Sequence, residues 1–319
     1  MLGGETDSLK LFRFRGIQVY LHWMWFLMAY YQIAGQRSAS AIFWSSAEYL
    51  SLFLIVLIHE FGHAFATRQT GGEADRIVLW PFGGIAFVRP PPRPGAELWS
   101  IAAGPLVNAI LWPLLMVAVW LCDLTGVSAR NPEFRGFLHG VWEINRQLLI
   151  FNLLPVYPLD GGQILRSLLW FRLGRARSLS IATIIGLVAL PILAAFSLYA
   201  LRKRPGDFVF VLVMAFFLVS ACLRSFRHAQ ALLKIERMPR HPHFACPKCS
   251  AHPPAAPIWV CGNCGNRFDA FATRGTCPHC RSLFLQGVFT CVVCGQPSSL
   301  VEWDRYPDRG PGSTRVIDI

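Results

Sequence analysis

Long apolar runs separated by short polar stretches dominate the first 225 residues of this chain. Six segments can be read, at about 17–34, 48–67, 98–122, 141–159, 179–201 and 208–223. Five of them approach the ~20 residues that a membrane-spanning helix needs. The fourth is weaker, because polar residues open it and Pro155 and Pro158 break it. Broken helices at membrane depth are tolerated where they line a protein-enclosed cavity, so this segment is a candidate wall of a site.

The first and second segments raise separate questions of structure. Segment one comes directly after basic residues, as the apolar region of a cleaved signal peptide does. Its length, His22 and two tryptophans instead favour a helix that stays in the mature protein. Beyond segment two, residues 77–88 are typical of two short strands around a Pro-Phe-Gly-Gly break. A hairpin there would offer a free edge able to hold an extended peptide, and an ordinary loop fits equally well.

The composition supports a membrane protein. Hydrophobic residues make up 54% of the 319, charged residues 15%, and the mean hydropathy is +0.41, whereas soluble domains carry about 25% charged residues. The formal net charge is +12. Basic residues beside apolar segments set topology more often than they bind nucleic acid. Their bias, against which the cluster at 202–204 argues, predicts a multi-pass cell-membrane protein with both termini in the cytosol.

The second apolar segment contains the string His59-Glu60-Phe61-Gly62-His63. On a helix the two histidines lie at i and i+4 on one face, where they can share a zinc ion while Glu60 acts on a water. Ionisable groups at membrane depth are costly unless they are paired or bind metal. The string therefore predicts a zinc hydrolase in or at the edge of a membrane.

A catalytic zinc normally has three protein ligands. Asp160, in Pro158-Leu159-Asp160-Gly161-Gly162 after the broken fourth segment, is the best third candidate, although the N-cap of a following helix is an alternative role. Two amides at similar depth, Asn108 and Asn152, are candidate donors to a scissile carbonyl or oxyanion. Helix–helix hydrogen bonding is the alternative for both amides.

The C-terminal region contains eight of the ten cysteines in a repeated pattern of CPxC followed by CxxCG. Each repeat could hold one structural zinc, and a cytosolic location disfavours disulfides. We expect two zinc ribbons with ligands paired in sequence order, the interleaved pairing being the alternative. The expected sets are Cys246, Cys249, Cys261 and Cys264, then Cys277, Cys280, Cys291 and Cys294.

Four motifs together give a resemblance to the site-2 protease family of intramembrane zinc metalloproteases (peptidase family M50, bacterial branch). They are HEFGH (59–63), Pro81-Phe82-Gly83-Gly84, Gly104-Pro105-Leu106-Val107-Asn108 and the run 151–162. The resemblance covers about residues 10–225. It implies His59, His63 and Asp160 as ligands of one catalytic Zn²⁺, Glu60 as general base, and a membrane-spanning substrate whose helix unwinds at the site. Many bacterial relatives have a nucleotide-binding regulatory domain where this chain has cysteines.

The expected fold is an α-helical polytopic membrane protein with about six transmembrane helices, a short membrane-associated β-hairpin and a small C-terminal zinc-ribbon module. The expected domains are a transmembrane metalloprotease domain (1–225), a basic linker (226–245), a double zinc ribbon (246–300) and a disordered tail (301–319). The expected function is cleavage of a single-pass membrane protein near the cytosolic face. The expected cofactors are one catalytic and two structural Zn²⁺. A catalytically silent scaffold that presents the ribbons to a protein partner, or less readily to nucleic acid, is the alternative.

Overall fold

The computed structural model describes residues 8–80, 83–201, 208–284, 288–294 and 297–304. The chain divides into two compact units, residues 1–229 and 230–319. In chain order, the elements up to the second unit are β1 (Ser8–Phe14), β2 (Ile17–His22), α1 (Met24–Ile33), α2 (Ala39–Gln69), β3 (Glu73–Trp80), β4 (Gly83–Arg89), α3 (Pro94–Leu124), α4 (Val127–Arg130), α5 (Pro132–Leu153), α6 (Asp160–Leu173), α7 (Arg175–Leu201) and α8 (Phe208–Glu236), which continues into that unit.

Among the described residues, four helices are long and apolar enough to cross a membrane, rather than the six expected. They are α2, α3, the 175–195 part of α7 and the 211–236 part of α8. The fourth apolar segment forms α5, which has 22 residues and is not among these four. It ends at Leu153, and the chain turns before α6 begins at Asp160. The predicted break at the two prolines is therefore confirmed.

The first apolar segment is not one spanning helix, and this part of the prediction is wrong. Its first half is strand β2, in which Ile17, Val19 and Leu21 are buried at every second position. Such a period of two is the signature of a half-buried strand. Its second half is α1, whose ten residues rise only ~15 Å, about half the thickness of a bilayer core.

The predicted hairpin is confirmed as part of a four-stranded sheet with the order β1-β2-β3-β4. Strands β1 and β2 pair antiparallel, β2 and β3 pair parallel, and β3 and β4 form the antiparallel hairpin. A two-residue turn joins β1 to β2, and both of its residues, Arg15 and Gly16, have positive φ, as a type I′ turn requires. The buried residues of β2 and β3 pack against Val56, Leu57 and Ala64 of α2.

The second unit contains two small hairpins, β5 (Trp259–Val260) with β6 (Arg267–Phe268) and β7 (Val288–Thr290) with β8 (Pro297–Ser299). Helix α9 (Leu300–Trp303) follows β8. Trp303 is 1% exposed and lies in the core of this unit with Phe244 and Phe271. The packed part of the ribbon module thus continues past residue 300, where the expected tail begins. Residues 305–319 lie outside the described residues.

Candidate metal centre

Helix α2 carries both histidines and the glutamate of the HEFGH string on a buried face. His59 and Glu60 are each 5% exposed, and His63 is 8% exposed. One ring nitrogen of each histidine and a carboxylate oxygen of Glu60 all lie within 4.8 Å of one another. The i, i+4 spacing that the sequence suggested therefore brings these three side chains together.

Asp160 reaches the two histidines from the first residue of α6. Its Oδ2 lies 3.1 Å from Nε2 of His59 and 3.4 Å from Nε2 of His63, and the two Nε2 atoms are 3.1 Å apart. The same Oδ2 is buried without a hydrogen-bond partner. Leu159 occupies the N-cap position of α6, and no side chain caps it, so the alternative N-cap role of Asp160 is not observed.

These three distances fit a zinc ion. Zinc binds nitrogen and oxygen at about 2.0–2.1 Å in a tetrahedron, which places its ligand atoms about 3.3 Å from one another. The three atoms lie 3.1–3.4 Å apart, and Oδ2 of Asp160 is an orphaned buried acceptor that a cation would satisfy. Three protein ligands would leave the fourth position open, as in catalytic zinc sites.

Each histidine is held through its other ring nitrogen. Nδ1 of His59 lies 2.6 Å from Oδ1 of Asn108, and Nδ1 of His63 lies 2.9 Å from the carbonyl oxygen of Ser100. Both partners are acceptors, so each Nδ1 carries the proton and each Nε2 keeps its lone pair. Both partners also lie on α3, which thus sets the tautomer and the orientation of both rings.

The structure places the two candidate amides in different surroundings. Asn108 faces His59 through its oxygen and donates its Nδ2 to Oδ1 of Asn145 at 2.8 Å, so its contacts are those of a ring-orienting group rather than of an oxyanion donor. Asn152 is half-buried near the end of α5. Asn145 is a site residue that the sequence did not single out; its position within an apolar segment was the available signal, and its complete burial is visible only in the structure.

Two glycines allow α2 and α3 to approach closely at the site. A Cβ atom on Gly62 would lie 2.7 Å from the carbonyl oxygen of Ala103. A Cβ atom on Gly104 would overlap the imidazole of His63 and lie 2.8 Å from Nε2 of His59. Position 104 therefore has to be glycine if the rings are to keep their places.

A buried ion pair between Glu97 and Arg166 joins α6 to α3. The side chain of Arg166 is 8% exposed and that of Glu97 15% exposed. Breaking such a pair leaves an uncompensated buried charge, so the pair favours one placement of α6. It helps to hold Asp160 beside the histidines, and the sequence analysis did not find it.

The eight C-terminal cysteines form two clusters of four, but the expected sequential pairing is wrong. The outer CxxC pairs meet in one cluster and the inner pairs meet in the other. The clusters are Cys246, Cys249, Cys291 and Cys294, and Cys261, Cys264, Cys277 and Cys280. The arrangement is nested, because the residues of the inner cluster lie in sequence between the two halves of the outer cluster.

The geometry of these clusters suits zinc. The Sγ–Sγ distances across them are 3.5–3.7 Å, close to the about 3.8 Å expected for a tetrahedron with Zn–S bonds of 2.3 Å. Hydrogen bonds to the side chain and backbone of Ser282 lower the pKa of Cys280 to about 6. Burial raises the pKa of Cys246, but backbone N–H groups of Cys249 and Lys248 outweigh it and lower that pKa to about 7. These lower pKa values favour the thiolate that binds metal. In the same clusters, burial raises the pKa of Cys291. The backbone N–H of Asn266 lowers the pKa of Cys264, but desolvation and the neighbouring thiols outweigh it and raise that pKa to about 11.

Comparison with known proteins gives a family match within the first unit. The model of Peptidase family M50 matches residues 47–128 and 126–196. A zinc metalloprotease of Methanocaldococcus jannaschii is 32% identical over 195 residues, which cover 61% of this chain and 55% of that protein. Stage IV sporulation protein FB of Bacillus subtilis is 33% identical over 153 residues, 47% of this chain and 46% of that protein. The chain thus spans about half the length of the curated relatives it matches.

One solved structure also aligns with the chain. It is a site-2 protease from Methanocaldococcus jannaschii, 26% identical, and the alignment covers 69% of this chain and 95% of that one with a TM-score of 0.49.

Proposed function

We propose that the protein is an intramembrane zinc endopeptidase of Peptidase family M50, whose model matches residues 47–128 and 126–196, and that it cleaves a membrane-spanning protein. One observation carries the proposal. Nε2 of His59, Nε2 of His63 and Oδ2 of Asp160 converge within 3.4 Å of one another beside Glu60, and α2, which carries the first two, is apolar enough to cross a membrane.

His59, His63 and Asp160 would hold the catalytic Zn²⁺. When bound there, the ion would supply a Lewis acid that polarises the scissile carbonyl and acidifies a water molecule. The protein's own part is to keep the three ligand atoms in place. Asn108 and Ser100 do this from α3 by holding the Nδ1 atoms.

Glu60 is the group to which we assign proton transfer. Its carboxylate oxygen lies within 4.8 Å of the histidine nitrogens, close enough to accept a proton from the attacking water and to return it to the leaving amine. Asn152, half-buried eight residues before Asp160, is the amide that we assign to the substrate carbonyl.

Strand β4 offers a way to hold the substrate as an extended chain. Within the described ranges of the chain it is an edge strand that pairs with β3 alone, and it contacts α2. Its outward N–H and C=O groups can pair with an added strand. A substrate helix that unwinds at the site would expose the backbone for both this pairing and the cleavage.

The charge distribution supports cleavage near the cytosolic face. His63 lies six residues before the end of α2 at Gln69, so at ~1.5 Å per residue it lies ~9 Å from that end. The basic residues that favour the cytosol follow this end of the helix. We propose the same side for both termini, and a protein rather than a nucleic acid as the partner of the two structural-zinc ribbons.

Co-expression with candidate single-pass substrates tests the proposal. The Glu60→Gln variant should retain about three zinc ions per chain and lose cleavage by roughly 10²-fold or more, since general-base catalysis contributes 10²–10⁴-fold. Glu48→Gln is a matched control, because Glu48 lies on the same helix against Gly140, away from the histidines. It should cleave like the native chain.

Unchanged cleavage by a zinc-loaded Glu60→Gln protein would refute the protease assignment. A native protein that binds only about two zinc ions and cleaves nothing would support the silent scaffold instead.

A further inference from the structure

We propose that Asn145 is a positioning residue that sets the amide orientation of Asn108 and thereby prepares His59 to bind metal. The inference rests on the proposed zinc site and concerns a residue one step further from the metal. Asn145 lies on α5, whereas His59 and Asn108 lie on α2 and α3. The three helices are thus connected through one chain of polar groups.

Both hydrogen bonds of the Asn145 side chain end on Asn108. Its Nδ2 donates to the backbone carbonyl oxygen of Asn108 at 3.0 Å, and its Oδ1 accepts from Nδ2 of Asn108 at 2.8 Å. Oδ1 of Asn108 then lies 2.6 Å from Nδ1 of His59. The donor end and the acceptor end of both amides are therefore assigned.

The backbone carbonyl group of Asn108 determines which end of each amide is the donor. A carbonyl oxygen can only accept, so the Asn145 group that faces it has to be the NH₂ group. The other end of that amide must then be an acceptor, and it selects the NH₂ group of Asn108. The oxygen of Asn108 is consequently left to face His59.

This orientation decides whether His59 can be a ligand. An acceptor beside Nδ1 keeps the proton there and leaves the Nε2 lone pair directed toward Asp160. With the Asn108 amide reversed, its NH₂ group would face Nδ1 and favour the tautomer protonated at Nε2. That tautomer cannot bind a metal through Nε2.

Because Asn145 is buried, solvent water has no access to the hydrogen bonds that its side chain makes. Both Asn145 and Asn108 are 0% exposed, so no bulk water can take over the two hydrogen bonds when one side chain is removed. Without Asn145 the two orientations of the Asn108 amide would compete.

Zinc binding by the full-length protein tests the inference. Zinc of the histidine site is defined as the fraction that His59→Ala loses, and its affinity is measured by competition with a chelator. Asn145→Leu should weaken that affinity by roughly 10–100-fold, the usual effect of losing an outer-shell partner, while the cysteine clusters retain their metal. Asn145→Ala, which adds no bulk, should give the same loss if the leucine variant does not fold.

A double-mutant cycle separates positioning from packing. In Asn108→Asp the carboxylate presents an oxygen to His59 in either orientation, so it needs no partner to orient it. Replacing Asn145 in that background should change zinc affinity by less than about 2-fold. Equal losses in both backgrounds would show that Asn145 only packs α5 against α3, and would overturn the inference.

Failure of the inference is distinguishable from failure of the proposed function. If the native chain contains no zinc that His59→Ala removes, the zinc-protease proposal fails. If it contains such zinc and Asn145→Leu and Asn145→Ala bind it with native affinity, only the positioning role of Asn145 is refuted.

Discussion

Replacing Gly104 by alanine should disable the metal centre while leaving the fold intact. The added Cβ atom would overlap the imidazole of His63 and lie 2.8 Å from Nε2 of His59. It projects from the backbone of α3, whose retreat from α2 is opposed by the packing of α5 and α6 against it. The two rings are therefore the groups that have to move.

The size of the effect follows from these distances. Ordinary van der Waals contact begins at 3.4 Å, so Nε2 of His59 has to move by about 0.6 Å and His63 by roughly 1 Å. Metal sites tolerate about 0.2 Å in ligand distance, and misplacing a catalytic group by 1 Å can cost about 10²-fold in rate. We expect a loss of at least about 10²-fold in kcat/KM, equivalent to about 2.7 kcal/mol of transition-state stabilisation, together with weaker zinc binding.

The fold itself should not suffer, because alanine is about 1 kcal/mol more favourable than glycine within a helix. Gly136→Ala on α5 is the matched control, since a Cβ atom there would meet nothing within 4 Å. Zinc content, cleavage of a membrane substrate and thermal unfolding would be measured for both variants. A Gly104→Ala protein with native zinc affinity and native cleavage would refute this account of how α3 approaches the two histidines.

Two further predictions concern the ribbons and the buried ion pair. The double variant Cys249→Ala/Cys291→Ala should lose about one zinc per chain, because both substitutions fall in one cluster. Cys249→Ala/Cys264→Ala should lose about two, because it removes one ligand from each cluster and a closed structural site needs all four. Metal analysis of the purified proteins would contradict the nested clusters if these losses were reversed. Glu97→Leu should lower the free energy of unfolding by about 3–5 kcal/mol, because it leaves Arg166 charged and buried. Adding Arg166→Met should recover most of that loss in thermal unfolding, and equal instability of the single and double variants would show that the uncompensated charge is not the cause.

The elements that depend on local sequence were predictable. The long helices follow from apolar runs of about the length of a bilayer, and the hairpin follows from β-branched residues around a Pro/Gly break. The prediction of one spanning helix for the first apolar segment was wrong, because hydrophobic content alone does not distinguish a strand from a helix. Its alternation at Ile17, Val19 and Leu21 was the signal for a strand.

The amino-acid sequence by itself determined the chemistry of the two metal-binding regions. His59 and His63 are neighbours wherever that segment is helical, and each CxxC pair is a half-site by local spacing. Only the tertiary structure decided what completes them: Asp160 and Asn145 are brought in by α6 and α5, and the two halves of each cysteine cluster are matched by the path of the chain. The physical reason is range, since hydrogen bonds and metal ligation act over about 2–4 Å and join residues tens of positions apart only after packing has brought them together.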